Sequence, residues 1–412
     1  MPRLRVAVDI SPLRESVPYR ALLSGHAVSL IGNQMRFVAM AWHIFVITGS
    51  SLSVGLLGLA ELLPQLFISL FAGAAADSLD RKRIMRWAQS ASFLNALALS
   101  AWALLGDLPL LAIYGFAAIG ASFDALDRPA RTATVPSYVS KEKLPAAMAL
   151  RQIVFQTSHI IGPAIGGVLI ATFSIGTVYI VDAATFLVSI ASLRWLPHIG
   201  DRPQRGDTRV LLKEGLKFAL ARPLVRTIFA VDLVAMIFGM PRAVFPALAD
   251  SLGMGADGAG LLFAAPAVGA LAGALFSGWV GGVVHQGRAI FLAVFGWGLA
   301  ITGAGLATSS LPLMLVLFAA AGGSDVLSAV FRGTVLLETT PDQLRGRISA
   351  LDGVVVTGGP RLGDLEAGLV ASAIGPAASV VVGGAACVVF TCALWLKSPQ
   401  LRAYRSSTAA KV

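Results

Sequence analysis

About a dozen apolar stretches, each long enough to cross a lipid bilayer, run along this 412-residue chain. Nothing else in it constrains the fold so tightly. A bilayer core takes roughly 20 helical residues. It offers no water to main-chain N–H and C=O groups, so a crossing segment must satisfy them internally. The expected spans are 21–47, 52–76, 84–105, 109–130, 146–172, 175–197, 224–249, 258–284, 288–308, 311–335, 346–373 and 376–397. Only 13% of residues are charged and 56% are hydrophobic, whereas a soluble domain is about one-quarter charged. The 43 glycines suit helices whose backbones approach closely within a membrane. The sequence therefore predicts an all-α membrane protein with twelve transmembrane helices.

Charge decides how these spans are threaded. The odd-numbered turns (48–51, 106–108, 173–174, 250–257, 309–310 and 374–375) contain no Lys or Arg. The even-numbered turns and both tails hold nearly all of them, including Arg81 to Arg86, Lys141, Lys143, Arg288, Arg345 and Arg347. Basic loops resist translocation, so these are the cytoplasmic ones, and an even number of spans places both termini with them. The net charge of +10 is thus topogenic, and nucleic acid is not expected as a partner. Residues 1–20 hold Arg3, Arg5, Arg14 and Arg20 without an apolar core or cleavage site. They read as a cytoplasmic tail rather than a signal peptide, and 398–412 is its C-terminal counterpart. The linker 198–223, with Lys213, Lys217 and Arg222 among its six basic residues, suits an amphipathic stretch on the membrane surface. Cys387 and Cys392 both lie in the last span and point to packing, not to a disulfide or metal.

The chain also repeats itself. Ser122-Phe-Asp124 through Arg131 lines up with Ser324-Asp325 through Arg332, with one slipped residue, and Gly162-Pro163-Ala-Ile-Gly166 with Gly359-Pro360-Arg-Leu-Gly363. Gly73 to Met85 aligns on Gly278 to Ile290, although Asp77 becomes Gly282 and Asp80 becomes His285. Two pseudo-symmetric six-helix halves follow, at 21–197 and 224–397. Such halves place a substrate site between them.

Two motifs sharpen the pattern. The turn after span 2 reads Gly73-Ala-Ala-Ala-Asp77-Ser-Leu-Asp80-Arg81-Lys82-Arg83. Its glycine permits close helix packing, and its acid can accept hydrogen bonds from a helix N-terminus. Span 5 carries Ser158-His-Ile-Ile-Gly162-Pro163-Ala-Ile-Gly166-Gly167, where proline bends the helix and the glycines allow tight packing. An ordinary kinked packing helix accounts for the same residues. Together with Asp124-Ala-Leu-Asp127-Arg128-Pro129-Ala-Arg131 and Arg361-Leu-Gly-Asp364-Leu-Glu366, these motifs resemble the major facilitator superfamily. They resemble in particular its drug:proton antiporter branch, which includes the enterobactin exporter and macrolide efflux proteins.

The resemblance covers nearly all of 20–397, with Ser158 replacing the first glycine of the antiporter signature and Asp80 standing where many members have glycine. It implies the major facilitator fold, with spans 1, 4, 7 and 10 lining a central cavity. It implies gating by Gly73, Asp77, Arg81, Asp124, Asp127 and Arg131, with Asp77 capping span 11 and Arg81 paired with Asp124 or Asp127. Gly162, Pro163, Gly166 and Gly167 would set helix packing. The implied activity is export across a bacterial inner membrane.

Polar residues inside the spans mark the cargo path, because an unpaired charge there costs at least a few kcal/mol. In span 1, His26, Ser29, Asn33, Arg36, Met40 and His43 recur every three or four residues and so share a helical face. Arg36 either reads cargo or pairs with Glu61 or another buried acid, and both roles are compatible. Asn33, Arg36, Met40, Glu61, Asp232 and Arg242 are the candidate cargo residues. Glu61, Asp232 and Asp364 are the candidates for proton coupling, since coupling needs a buried carboxylate whose protonation changes. Asp364 and Glu366 have Arg361 as a nearby counter-ion, and Asp182 suits a helix-packing hydrogen bond. No Gly-x-x-x-x-Gly-Lys-Ser/Thr sequence is present, so an ion gradient is the natural driver. The five histidines show no paired-ligand spacing, which argues against a metal site and a membrane-embedded enzyme. The expected protein is a monomeric exporter without a cofactor, whose partners are a small organic cargo, protons and the bilayer. A siderophore is the favoured cargo, with multidrug or macrolide efflux as the alternative.

Overall fold

The computed structural model describes residues 9–78, 80–106, 108–197 and 208–406, with the backbone alone at 70–78, 208–212, 278 and 281. Helices α1 (Ser11–Glu15), α2 (Val17–Thr48), α3 (Ser51–Ser78), α4 (Arg81–Leu105), α5 (Leu110–Thr134), α6 (Leu144–Thr172) and α7 (Ile175–Ser192) precede the linker. After it come α8 (Thr208–Ala221), α9 (Pro223–Phe238), α10 (Phe245–Ser251), α11 (Ala256–Leu275), α12 (Gln286–Leu306), α13 (Leu311–Thr339), α14 (Asp342–Ile374), α15 (Pro376–Lys397) and α16 (Pro399–Arg402). Among the described residues there is no strand.

Local chemistry sets the helix ends. Gly49 and Gly375 adopt φ of +61° and +90°, a left-handed conformation that glycine enters without a Cβ penalty, and each closes a membrane-length helix. The Asp80 carboxylate accepts from the Lys82 amide at 2.9 Å and caps α4. Among the described residues, eleven helical segments are long and apolar enough to cross a membrane, with α9 and α10 counted as one. The twelfth expected span, α14, is 33 residues long but carries Asp342, Arg345, Arg347, Asp352, Arg361, Asp364 and Glu366. Apolar side chains such as Leu105 (87% exposed) and Leu111 (81%) point outward, as lipid-facing residues do.

Two expected spans are not single α-helices throughout. Span 7 is broken: α9 stops at Phe238, Gly239-Met-Pro241 interrupts it, and a 3-10 turn at Arg242–Val244 leads into α10. Proline denies the helix a donor and restricts the residue before it. Span 8 ends at Leu275 and gives way to a 3-10 turn over Ser277–Gly282.

The helices form two compact units, Met1–Met40 with Leu63–Asp207 and Ala41–Leu62 with Thr208–Val412. In the first, α4 packs on α5 and α7. Gly162 and Gly166 of α6 lie against Ile31, Gln34 and Met35 of α2, where a Cβ at Gly162 would stand 2.5 Å from that of Gln34. One end of this unit is filled by Tyr19, Leu22, Met85, Ala130, Leu150 and Leu193.

In the second unit, α13 packs on α11 and α12, and α14 lies on α8 and α9. Gly359 and Gly363 of α14 face Met236 and Ile237 of α9, repeating the way α6 meets α2. Segment 51–61 of α3 also lies along α14. Gly55 and Gly58 approach the Asp364 and Arg361 carbonyls, and Gly368 approaches that of Ser51. The linker helix α8 docks Gly215 on Arg347 of α14 and pairs Glu214 with it at 2.9 Å, leaving Lys213, Lys217 and Leu216 exposed.

Such close approaches have a measurable signature. A Cβ at Gly322 would run into the Pro266 carbonyl of α11, whereas one at Gly333 meets open space. Gly322→Ala is expected to destabilise by about 1–3 kcal/mol and Gly333→Ala to stabilise by about 1 kcal/mol or less. Thermal melting of the purified protein in detergent checks both signs.

Candidate functional site

Arg36 is the centre of the polar interior of the first unit. Its position in mid-α2 buries the guanidinium, leaving the side chain 9% exposed. Nη1 donates to Asp182 Oδ2 of α7 at 2.9 Å, and Nη2 donates to Asn33 Oδ1 one turn earlier, also at 2.9 Å. Asp124 of α5 stands 4.0 Å from Nη2, and the Phe186 ring lies 5.7 Å from the guanidinium. Glycine makes the room: a Cβ at Gly120 would come within 3.4 Å of Nη2. Arg36 thus pairs with a buried acid, Asp182, which holds an ion pair. Met40 is 1% exposed and belongs to the core.

The second unit pairs its charges helix to helix. The break in span 7 frees Arg242 to bind Asp364 of α14 through Nε at 3.2 Å and Nη2 at 2.5 Å, a two-point contact suited to a planar fork. Glu61 accepts from Arg361 Nη2 at 3.0 Å. Arg361 therefore serves Glu61, while Asp364 belongs to Arg242. Among the described residues Glu366, half-buried, has no hydrogen-bond or ionic partner. Asp232 of α9 meets Arg332 of α13 at 2.7 Å, both side chains 6% exposed or less. Asp325 and Asp352 lie within electrostatic reach of that arginine.

The expected gate residues distribute differently. Asp127 pairs with Arg131 four residues on, and Arg131 Nη2 also donates to Ser189 of α7 at 3.0 Å. Arg81 does reach the end of α5, where Nη1 donates to the Ala133 carbonyl at 2.8 Å. Gly73 and Asp77 fall in the helical backbone of α3, but their side chains, and so the expected cap on span 11, lie outside the described residues. Pro163 and Gly167 are buried in α6 beside Gly162 and Gly166. Outside the spans, burial pushes the Tyr138 phenol up to about 12, with Asp80 nearby adding to it. The phenol stays a donor, and its Oη bonds the Pro197 carbonyl at 2.9 Å. Among the described residues no His, Cys, Asp or Glu side chains group as metal ligands.

Sequence reading singled out most of these charges but missed their partners, because Arg36 and Asp182 lie 146 residues apart and Glu61 and Arg361 lie 300 apart. Arg332 was visible only as one line of the internal repeat.

The family model for transmembrane secretion effectors matches residues 7–411. The chain belongs to that family, within the major facilitator superfamily. Enterobactin exporter EntS of Escherichia coli O1:K1 is 30% identical over 402 residues, covering 97% of this chain and 96% of that protein. The EntS of Shigella boydii serotype 18 matches to the same extent. Among solved structures, the nucleoside transporter NupG superposes with a TM-score of 0.74 at 14% identity, over 92% of this chain and 99% of that one. At that identity the likeness shows the fold. This major facilitator protein is therefore an all-α, multi-pass membrane protein, and the relatives named above are exporters.

The Arg36–Asp182 pair makes a sharp stability prediction. Breaking a buried pair costs about 3–5 kcal/mol, and replacing both partners with apolar groups costs far less. Arg36→Met is expected to lower the melting temperature strongly, and Arg36→Met with Asp182→Leu to recover most of the loss, as read by fluorescence melting in detergent.

Proposed function

We propose that the protein exports a small organic molecule, with a siderophore as the favoured cargo, by alternating access coupled to proton entry. The observation that carries this reading is the end-to-end likeness to enterobactin exporters. The basic turns then face the cytoplasm and both termini lie there. The repeats at 21–197 and 224–397 form the two moving halves. Segment 51–61, from the first repeat, packs on α14 of the second through Gly55, Gly58 and Gly368. That seam, pinned by Glu61 and Arg361, is the contact that opens and closes at the uncharged-turn end.

Arg242, with 30% of its side chain exposed, is better placed to meet an oxygen-rich anion than Arg36 at 9%. Asn33 and Arg36 are the cargo candidates of the first unit. Glu61 and Asp364 are each ion-paired with an arginine and serve as closing contacts. The proton falls to Asp232 and its neighbours. Three carboxylates, Asp232, Asp325 and Asp352, share the field of Arg332. In a low dielectric they cannot all ionise against one cation. Asp77 and Arg81 latch the basic-turn end.

The test is to delete the gene, starve cells of iron and quantify siderophore in cells and medium by mass spectrometry. Intracellular build-up is expected, reversed by the wild-type gene and, at equal membrane abundance, not by Asp232→Asn. Unchanged siderophore with new sensitivity to toxic compounds would move the cargo to drugs.

A further inference from the structure

The repeat relates Arg131 to Arg332, and each stands seven residues after an aspartate, Asp124 or Asp325. Both arginines turn back to the residue four before: Arg131 to Asp127, and Arg332 to Ser328 at 3.1 Å. The surroundings then invert. Arg332 is crowded by carboxylates, whereas Arg131 is crowded by cations. Arg128, Arg131 and Arg151 act together on the His26 ring, and Asp127 forms an ion pair with Arg131.

Tyr19, Leu22, Leu23 and His26 of α2, Arg131 of α5, Val135 just after it, and Arg151 of α6 line a recess there. Its enclosed part holds about one water-sized group. Two buried nitrogens have no hydrogen-bond partner: Nη1 of Arg131, a residue 2% exposed, and Nδ1 of His26. Arg151, half-buried, gives Nη2 to Thr132 at 3.0 Å, and the Tyr19 hydroxyl is spent on the Ala147 carbonyl at 2.7 Å. Leucines and valine form the rest of the wall, so an anion entering would be partly desolvated and would meet charge-assisted donors.

We propose that this recess is an oxyanion site, which takes one carboxylate, phenolate or phosphate oxygen at the shared end of α2, α5 and α6. Arg131 Nη1 and Arg151 supply the donors, Arg128 adds its field, and the apolar wall admits a single anionic group at the tip of a larger molecule. That the larger molecule is the exported cargo rests on the export reading; a lipid phosphate presents the same chemistry.

Full-length protein in phosphatidylcholine nanodiscs is titrated with benzoate, with benzamide as the uncharged analogue, and with inorganic phosphate. In parallel, native mass spectrometry of detergent-purified protein counts retained phosphatidylglycerol. We expect benzoate to bind in preference to benzamide, Arg151→Gln and His26→Gln to weaken it at least tenfold, and Arg151→Lys to keep most of it. Melting curves confirm that each variant is folded. A retained phosphatidylglycerol lost in Arg151→Gln, without benzoate binding, would support the site with a lipid headgroup as its occupant. No binding of any probe, or binding equal in wild type and folded variants, would overturn it. If gene deletion leaves siderophore export intact while Arg151-dependent benzoate binding persists, the export reading falls and the site stands.

Discussion

An arginine held inside a membrane bundle must be given a counter-charge at close range, since neither lipid nor solvent supplies one. Among the described residues, a carboxylate answers five such arginines: Asp182 for Arg36, Asp127 for Arg131, Asp364 for Arg242, Asp232 for Arg332, and Glu61 for Arg361. Four of the pairs join different helices. They fix which helix faces which more tightly than apolar packing can, because lipid tails compete with leucine for leucine but not with a carboxylate for a guanidinium.

Glycine sets the distance at which those pairs operate. Gly120 opens the space that Arg36 occupies, and Gly55 and Gly58 bring α3 close enough to α14 for Glu61 to reach Arg361. The Gly-Pro helices α6 and α14 meet α2 and α9 in the same manner, so the duplication is one of packing as well as of sequence. Charge does not follow the duplication. Around Arg131 the balance is cationic and around Arg332 it is anionic, so two arginines in equivalent places face opposite chemistry. On the export reading proposed above, one surface would receive the anion and the other hold the proton.

The broken span 7 shows how a local sequence signal becomes a tertiary contact. Gly239 and Pro241 end α9, and the freed Gly239 carbonyl is satisfied by Trp297 Nε1 at 2.9 Å. The turn that follows projects Arg242 toward α14. An unbroken helix over 224–249 would have carried Arg242 around the helix by its ordinary pitch, without this freedom to aim it at Asp364.

The sequence by itself determined the fold class. Membrane-length apolar runs force helices because lipid leaves main-chain groups no other partner. Basic and uncharged turns alternate along the chain, and the repeat of Gly162-Pro163 in Gly359-Pro360 announces two related halves. It also marked Arg36, Glu61, Asp232, Arg242 and Asp364 as costly and hence meaningful. Which of them meet was decided only by tertiary structure. Helical periodicity tells which face a residue occupies but not which helix lies opposite, and the partners stand 100 to 300 residues away. The same limit explains why Arg332 and the Arg131–Arg151 recess were not legible in the chain: each takes its character from residues on two or three other helices. The break inside span 7 was not legible because an apolar run looks continuous in composition even where glycine and proline interrupt its backbone.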